Sequence, residues 1–156
     1  MSEKIEFLLD GETVYAEKGQ SIWEVANGQG LKIPHLCHTP KPGYRPDGNC
    51  RACMVEIEGE RTLAASCIRE PQPGMVVKSA TPRAEAARKM VVEMLVTDQP
   101  HREVAHDKSS HFWDMVELND VQESRMPRLE QDRVPILDDS HVAMSVSLDA
   151  CIQCGL

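Results

Sequence analysis

The chain of 156 residues carries 17 Lys and Arg against 25 Asp and Glu, which gives a formal net charge of −8. This acidity argues against nucleic acid or an anionic membrane surface as the main partner, and no apolar run is long enough to predict a membrane span. The first residues lack a basic stretch followed by an apolar one, so we expect no signal peptide and a cytoplasmic location.

The amino-terminal part of the chain predicts a hairpin followed by a helix. Residues 4–9 and 12–16 read as strands on either side of Asp10-Gly11, a dipeptide typical of tight hairpin turns. Ser21 and Glu24 then fit a capping box, with Ser21 as the N-cap of a helix that ends near Gln29. We expect Trp23 on this helix to lie in the core.

Residues 34–50 are dense in proline and glycine, which predicts a long loop without regular structure. Long loops inside compact domains are usually functional. Strands are expected at 54–58, 62–65 and 75–78, separated by a turn at Gly59 and by a second Pro- and Gly-rich loop. Two hairpins with a helix packed across them predict a small α+β domain over residues 1–80.

A helical and irregular extension is expected over residues 81–145. Thr81 and Pro82 read as N-cap and first position of a helix that runs to about Thr97. Its apolar residues recur at helical spacing, and they are Ala87, Met90, Val91, Met94 and Leu95. A short helix is expected over 110–118, where Trp113 would anchor the extension or face a missing domain, and residues 142–148 look extended.

The six cysteines carry most of the functional information, and they are Cys37, Cys50, Cys53, Cys67, Cys151 and Cys154. Disulfides are disfavoured without a signal peptide, so the pattern favours metal binding by these cysteines. The first four read C-x12-C-x2-C-x13-C and bracket the irregular loop and a hairpin. A [2Fe–2S] cluster needs four thiolates, and a loop rich in Gly and Pro supplies backbone N–H groups for its sulfur atoms.

Two other interpretations of the cysteines remain open. Structural zinc usually pairs two C-x2-C knuckles, but pairing Cys50 and Cys53 with the distant Cys151 and Cys154 would leave two cysteines unused. Buried, inert cysteines are the second alternative. Three histidines at intervals of five, His101, His106 and His111, do not share one helix face, so we expect them to be solvated.

Three segments carry a resemblance to a known family. They are Ile33-Pro34-His35-Leu36-Cys37, Gly48-Asn49-Cys50-Arg51-Ala52-Cys53-Met54-Val55-Glu56 and Ala65-Ser66-Cys67. Together with the hairpin–helix start, they resemble the β-grasp ferredoxin domain that opens the large iron–sulfur subunit of NADH:quinone oxidoreductase. The same domain opens the alpha subunit of soluble NAD-dependent molybdenum or tungsten formate dehydrogenases. Residues 42–53 resemble the formate dehydrogenase branch more closely, and the resemblance covers nearly the whole chain.

The resemblance implies a one-electron transfer module that holds one [2Fe–2S] cluster through Cys37, Cys50, Cys53 and Cys67. The parent enzyme would oxidise formate at a pterin-bound molybdenum or tungsten, and electrons would reach NAD through flavin in another subunit. Partners would be other redox domains or subunits, and surfaces that face them would favour self-association of the isolated chain. No catalytic site is expected in this chain alone. The alternatives are a hydrogenase or NADH dehydrogenase as the parent enzyme, and a zinc-stabilised docking domain.

Two departures from the family pattern limit what the resemblance implies. His101 falls where relatives have the histidine of a [4Fe–4S] site built from one histidine and three cysteines, but the cysteine positions fall on Ala105, Lys108 and Asp114. Residues 146–156 contain Cys151 and Cys154, which open like the bacterial run C-x2-C-x2-C-x3-C but lack its last two cysteines. We therefore expect no complete [4Fe–4S] site and treat Cys151 and Cys154 as an incomplete site.

Overall fold

The computed structural model describes residues 4–128, 137–148 and 150–154. Five strands form one sheet, and they are β1 (Ile5–Leu9), β2 (Glu12–Ala16), β3 (Met54–Ile57), β4 (Ala64–Ala65) and β5 (Val76–Lys78). Their order is β2-β1-β5-β3-β4, in which β1 and β5 are parallel and the other neighbours are antiparallel. This mixed sheet with its helix confirms the predicted α+β, β-grasp fold.

The first helix, α1 (Ile22–Gly28), begins at the predicted capping box. The Ser21 hydroxyl accepts the N–H of Glu24, and the Glu24 carboxylate accepts the N–H of Ser21. Trp23 is buried as predicted, and its ring N–H donates to the carbonyl oxygen of Ile33 at 3.1 Å. The first core therefore ties α1 to the start of the long loop. Its largest fully buried aliphatic and aromatic side chains are Phe7, Leu9, Ile22, Val55 and Val77.

One predicted strand is shorter than expected. The sequence predicts a strand over 62–65, whereas β4 contains only Ala64 and Ala65. Just before the predicted strand, the Arg61 carbonyl oxygen accepts a hydrogen bond from the guanidinium of Arg83 at 2.6 Å.

The extension contains two helices and a hairpin. Helix α2 (Pro82–Asp98) begins at its Thr81 cap and α3 (His111–Leu118) begins after Ser110, both as predicted. Residues 142–148 prove to be part of a hairpin of β6 (Leu137–His141) and β7 (Met144–Ser147). The sequence missed β6 because its Asp-Asp-Ser composition disfavours a strand. None of the helices in the described ranges is long and apolar enough to cross a membrane.

Helix α2 does not bury the apolar stripe that predicted it. Met90 and Met94 are about half exposed, at 48% and 52%. The buried side chains lie on another face of the helix, and they are Ala84, Arg88, Val92, Glu93, Val96 and Thr97. A polar residue occupies the centre of this face because Arg88 donates to two backbone carbonyl groups there.

A second hydrophobic core joins the extension to the long loop. Trp113 and Phe112 of α3 are buried against Val92 and Val96 of α2, together with Leu36 and Ala52 of the loop region. The guanidinium carbon of Arg102 lies 5.6 Å from the Trp113 ring centroid, in range for a cation–π contact. Trp113 therefore anchors the extension, which is one of the two roles that the sequence left open.

Candidate iron–sulfur centre

Cys37 and Cys50 form a reciprocal pair at the two ends of the long loop. The N–H of Cys37 donates to the Cys50 sulfur at 3.4 Å, and the N–H of Cys50 donates to the Cys37 sulfur at 3.4 Å. The N–H of Ala52 also donates to the Cys50 sulfur, at 3.4 Å. Backbone donors of this kind stabilise thiolate over thiol, as a metal ligand requires.

Cys53 and Cys67 form a second pair, on either side of the β3–β4 hairpin. A hydrogen bond from the Cys67 side chain lowers the pKa of Cys53 to about 6, although burial opposes the shift. The same hydrogen bond, together with burial and the charges of Cys53, Cys37 and Cys50, raises the pKa of Cys67. Burial also raises the pKa of Cys50 to about 11. The four thiols therefore lie within electrostatic reach of one another and compete for negative charge.

Two elements of the fold position the second pair. Cys53 directly precedes β3, and Cys67 follows β4 by one residue, Ser66. The Ser66 hydroxyl donates to the Cys53 carbonyl oxygen at 2.7 Å, and its N–H donates to the same oxygen at 3.2 Å. The hairpin therefore brings Cys67 back beside Cys53.

The centre lies between the two hydrophobic cores. Cys53 and Cys67 belong to the first core, whereas Cys50 packs against the second. Cys37, Cys53 and Cys67 are each 1% exposed, and Cys50 is half-buried. Positive φ angles at Gly48 (66°) and Arg51 (58°) bend the loop around Cys50. A group bound here would be shielded from water and open mainly on the Cys50 side.

The four thiols lie in two pairs, Cys37 with Cys50 and Cys53 with Cys67. Structural zinc requires four ligands around one ion. Each iron of a [2Fe–2S] cluster requires only two thiolates, because bridging sulfides complete its coordination. The pairs Cys37/Cys50 and Cys53/Cys67 match that requirement.

The sequence did not indicate the two histidine residues beside the centre as functional candidates. His35 and His38 lie close to Trp23, with ring centroids at 4.4 and 4.7 Å. His38 is 5% exposed, and both of its ring nitrogens are buried without a hydrogen-bond partner in the described part of the chain. Burial and the charge of His111 lower the pKa of His35 to about 4. His35 is therefore neutral at physiological pH.

The histidines of the extension are exposed, as expected. His111 nevertheless has a specific contact, since its Nε2 lies 2.7 Å from the His35 carbonyl oxygen and its ring centroid lies 4.7 Å from that of His35. Of the three positions where the family pattern would place cysteines, Ala105 is buried in the second core, and Lys108 and Asp114 are exposed.

Cys151 and Cys154 are free thiols at an exposed and a half-buried position. Neither contributes to the interactions that shift the pKa values of Cys50, Cys53 and Cys67. Ile152, which lies between them, packs against the second core. The segment that carries these two cysteines therefore packs against the second core.

Residues 2–82 match the model of a family described as 2Fe-2S iron-sulfur cluster binding domain. The chain belongs to this family. The [2Fe–2S] cofactor predicted from the sequence is thereby confirmed, and the cysteine pairs described above fit it.

Relatives of this [2Fe–2S] chain include subunits of NADH-quinone and NADH-ubiquinone oxidoreductases. It is 37% identical over 97 residues to the NADH-ubiquinone oxidoreductase 78 kDa subunit, mitochondrial, of Neurospora crassa, and the match covers 62% of this chain and 13% of that protein. It is 30% identical over 156 residues to an NADH-quinone oxidoreductase subunit of Rhizobium meliloti, and the match covers 96% of this chain and 18% of that protein. The chain thus spans less than a fifth of these relatives.

A solved structure shares the fold over almost the whole chain. This structure is of an NAD+-reducing [NiFe]-hydrogenase in the H2-reduced state, and the match has a TM-score of 0.83 at 29% identity. It covers 97% of this chain and 63% of that chain. The similarity therefore includes the extension as well as the [2Fe–2S] domain.

Proposed function

We propose that Cys37 and Cys50 bind one iron of the [2Fe–2S] cluster and that Cys53 and Cys67 bind the other. The observation that carries this assignment is the pairing of the thiols. Cys37 and Cys50 exchange N–H···S hydrogen bonds, and Ser66, the neighbour of Cys67, bonds twice to the Cys53 carbonyl oxygen and so places Cys67 beside Cys53. When bound, the cluster accepts and releases one electron at a time. The function of the chain is then to relay single electrons between neighbouring redox centres.

The protein itself supplies burial, hydrogen bonds and a fixed geometry. The N–H groups of Cys37, Cys50 and Ala52 point at ligand sulfurs, and such donors favour the more negative, reduced state. Three of the four sulfur-bearing side chains are almost fully buried, which excludes water from the centre. Electrons would leave on the more open side at Cys50, where a partner can approach.

For the parent enzyme we propose an NAD-dependent formate dehydrogenase. The support is the sequence of residues 42–53, Pro-Gly-Tyr-Arg-Pro-Asp-Gly-Asn-Cys-Arg-Ala-Cys, which resembles that branch. In this proposal residues 1–80 are the cluster domain, 81–145 an extension that holds the ligand loop, and 146–156 the start of a further cluster motif. The partners are other redox subunits, and the compartment is the cytoplasm, whose reducing environment keeps cysteine ligands available for iron.

A second candidate keeps the electron-transfer role but changes the parent to a hydrogenase or NADH dehydrogenase. The observation that favours it is the similarity to the hydrogenase chain over 97% of this chain. The two candidates differ in electron donor, which is formate in the first and H2 or NADH in the second. Neither donor site is among the residues described above, so the donor has to be identified with the native complex.

The assignment is tested on the purified full chain under anaerobic conditions. Iron, sulfide and zinc are counted per chain, and the visible and reduced-state EPR spectra are recorded. We expect about two irons and two sulfides and a rhombic signal on reduction. Zinc in a colourless protein would instead support the docking-domain alternative. Formate-, NADH- and H2-dependent reduction assays of the native complex then identify the parent, whereas the chain alone should show none of these activities.

A further inference from the structure

Arg88 is a buried cation in the middle of α2. Its side chain is 7% exposed, and its Nη1 donates to the Ser79 carbonyl oxygen at 2.6 Å and to the Met54 carbonyl oxygen at 3.0 Å. Its Nε is buried and has no hydrogen-bond partner in the described part of the chain. Met54 directly follows Cys53, so the guanidinium is held beside one end of the cluster site.

Among the described residues, no carboxylate lies within ion-pair distance of this guanidinium, and Arg88 takes part in none of the ion pairs found there. In each of those pairs at least one partner is much more exposed than Arg88. Burial lowers the pKa of Arg88, and the charges of Glu85, Cys53 and Asp10 oppose that shift from a greater distance. A buried cation is costly unless an anion compensates it. The Cys53 thiolate is one of the anions that act on it.

We propose that Arg88 is the counter-charge of the [2Fe–2S] centre and raises its reduction potential. This inference rests on the proposed assignment of Cys53 as a ligand. Four thiolates and two sulfides make the centre anionic, and reduction adds one electron and one further negative charge without forming or breaking a bond. A fixed positive charge stabilises the reduced state more than the oxidised state, and the effect is strongest where water is excluded.

The other arginines that flank the ligands differ from Arg88. Arg45 and Arg51 are exposed, so water and salt screen their charges, and Arg69, two residues after Cys67, is half-buried but forms an ion pair with Glu60. Arg88 is buried, so its charge is screened much less. It also lies on α2, beyond the family match that ends at residue 82. The extension would therefore tune the potential of a cluster whose ligands all lie in the preceding domain.

Two substitutions separate charge from shape. Arg88→Gln removes the charge and keeps an amide donor, whereas Arg88→Lys keeps the charge and loses the planar fork. Arg83→Gln is the matched control, because Arg83 lies on the same helix but is exposed and bonds to Glu56 and to the Arg61 carbonyl oxygen. The reduction potential of each full-length chain is measured by EPR-monitored redox titration at low and at high salt.

We expect Arg88→Gln to lower the equilibrium constant for reduction of the cluster by at least about tenfold. This corresponds to a fall of about 59 mV in the reduction potential of a one-electron couple. The shift should persist at high salt, and Arg88→Lys should stay close to the wild-type potential. Arg83→Gln should change the reduction potential only slightly, and this small change should disappear at high salt. If Arg88→Gln does not retain the cluster, Arg88→Lys provides the measurement.

Three results would overturn the inference. The first is a reduction potential of Arg88→Gln that is no lower than that of Arg83→Gln. The second is a reduction potential of Arg88→Lys that is as low as that of Arg88→Gln. The third is loss of the cluster from both Arg88→Gln and Arg88→Lys. The third result would make the hydrogen-bonding fork, and not the charge, the contribution of Arg88. A wild-type chain without a [2Fe–2S] cluster would instead contradict the proposed function, so the two failures are distinguishable.

Discussion

The ring Nε2 of His111 lies 2.7 Å from the carbonyl oxygen of His35, although the two residues are 76 positions apart in sequence. A carbonyl oxygen only accepts, so the imidazole Nε2 is the donor. The N–H of His35 in turn donates to the sulfur of Met115 at 3.4 Å. Helix α3 therefore holds both backbone groups of His35, two residues before Cys37, and the extension is structurally part of the cluster site.

His111→Ala should loosen the loop that carries Cys37. Loss of this hydrogen bond should cost about 1 kcal/mol of unfolding free energy, measured by urea denaturation of the full chain. Iron transfer to an added chelator should also become faster. His106→Ala is the control, because His106 is exposed on the same segment. Equal chelation rates in the two variants would contradict a role for α3 in holding the loop.

Cys53→Ser should lower cluster occupancy and destabilise residues 34–53. This loop has no helix or strand of its own, so metal binding contributes directly to its folding. The measurement is iron per chain together with the visible spectrum and the melting temperature. If the spectrum and melting temperature match those of the wild type, Cys53 is not a ligand.

Cys151→Ala and Cys154→Ala should leave the iron content of the chain unchanged. Neither thiol contributes to the pKa shifts of the paired cysteines, and the C-x2-C motif alone supplies only half of a four-thiolate site. Iron and sulfide are counted in each variant beside the wild type. A clear fall in iron per chain would show that these cysteines bind a metal after all.

Gly48→Ala should destabilise the ligand loop more than Gly43→Ala. Both glycines have positive φ, 66° at Gly48 and 89° at Gly43, so each alanine costs about 1 kcal/mol of backbone strain. A Cβ at Gly48 would also lie 2.7 Å from the Ile68 Cδ1, whereas Gly43 has open space. Melting temperatures of the two loaded variants test this difference, and equal values would mean that Ile68 moves aside freely.

Glu56→Gln should reduce stability at neutral pH but not in acid. A hydrogen bond from Thr81, and then the contact with Arg83, lower the pKa of Glu56 below its ordinary value of 4.5. The unfolded chain therefore binds more protons than the folded chain below that pH, so the stabilisation is present above it and lost as pH falls. Melting curves of the wild type and of Glu56→Gln are recorded at pH 7 and in acid. The difference in melting temperature at pH 7 should disappear in acid. A difference independent of pH would assign the effect to packing.

Local signals in the sequence predicted most of the first domain. The Asp10-Gly11 turn, the Ser21 capping box and the Thr81-Pro82 start of α2 all occur as predicted, because each depends on residues within one turn of the chain. Features that depend on distant partners were less predictable. The buried face of α2 was misjudged because Arg88 is drawn inward by the carbonyl groups of Ser79 and Met54. Strand β6 was missed because its pairing with β7 outweighs its composition.

The sequence by itself determined the thiolate donor set, because four cysteines bracket a Pro- and Gly-rich loop and a hairpin, and its family resemblance predicted the [2Fe–2S] cofactor. Only the tertiary structure decided how those thiols pair. It also placed α3 and Arg88 of the extension beside the ligand loop, although both lie outside the first domain in sequence. These contacts join residues tens of positions apart, where spacing carries no information about distance. Packing of two hydrophobic cores on either side of the ligand loop brings them together.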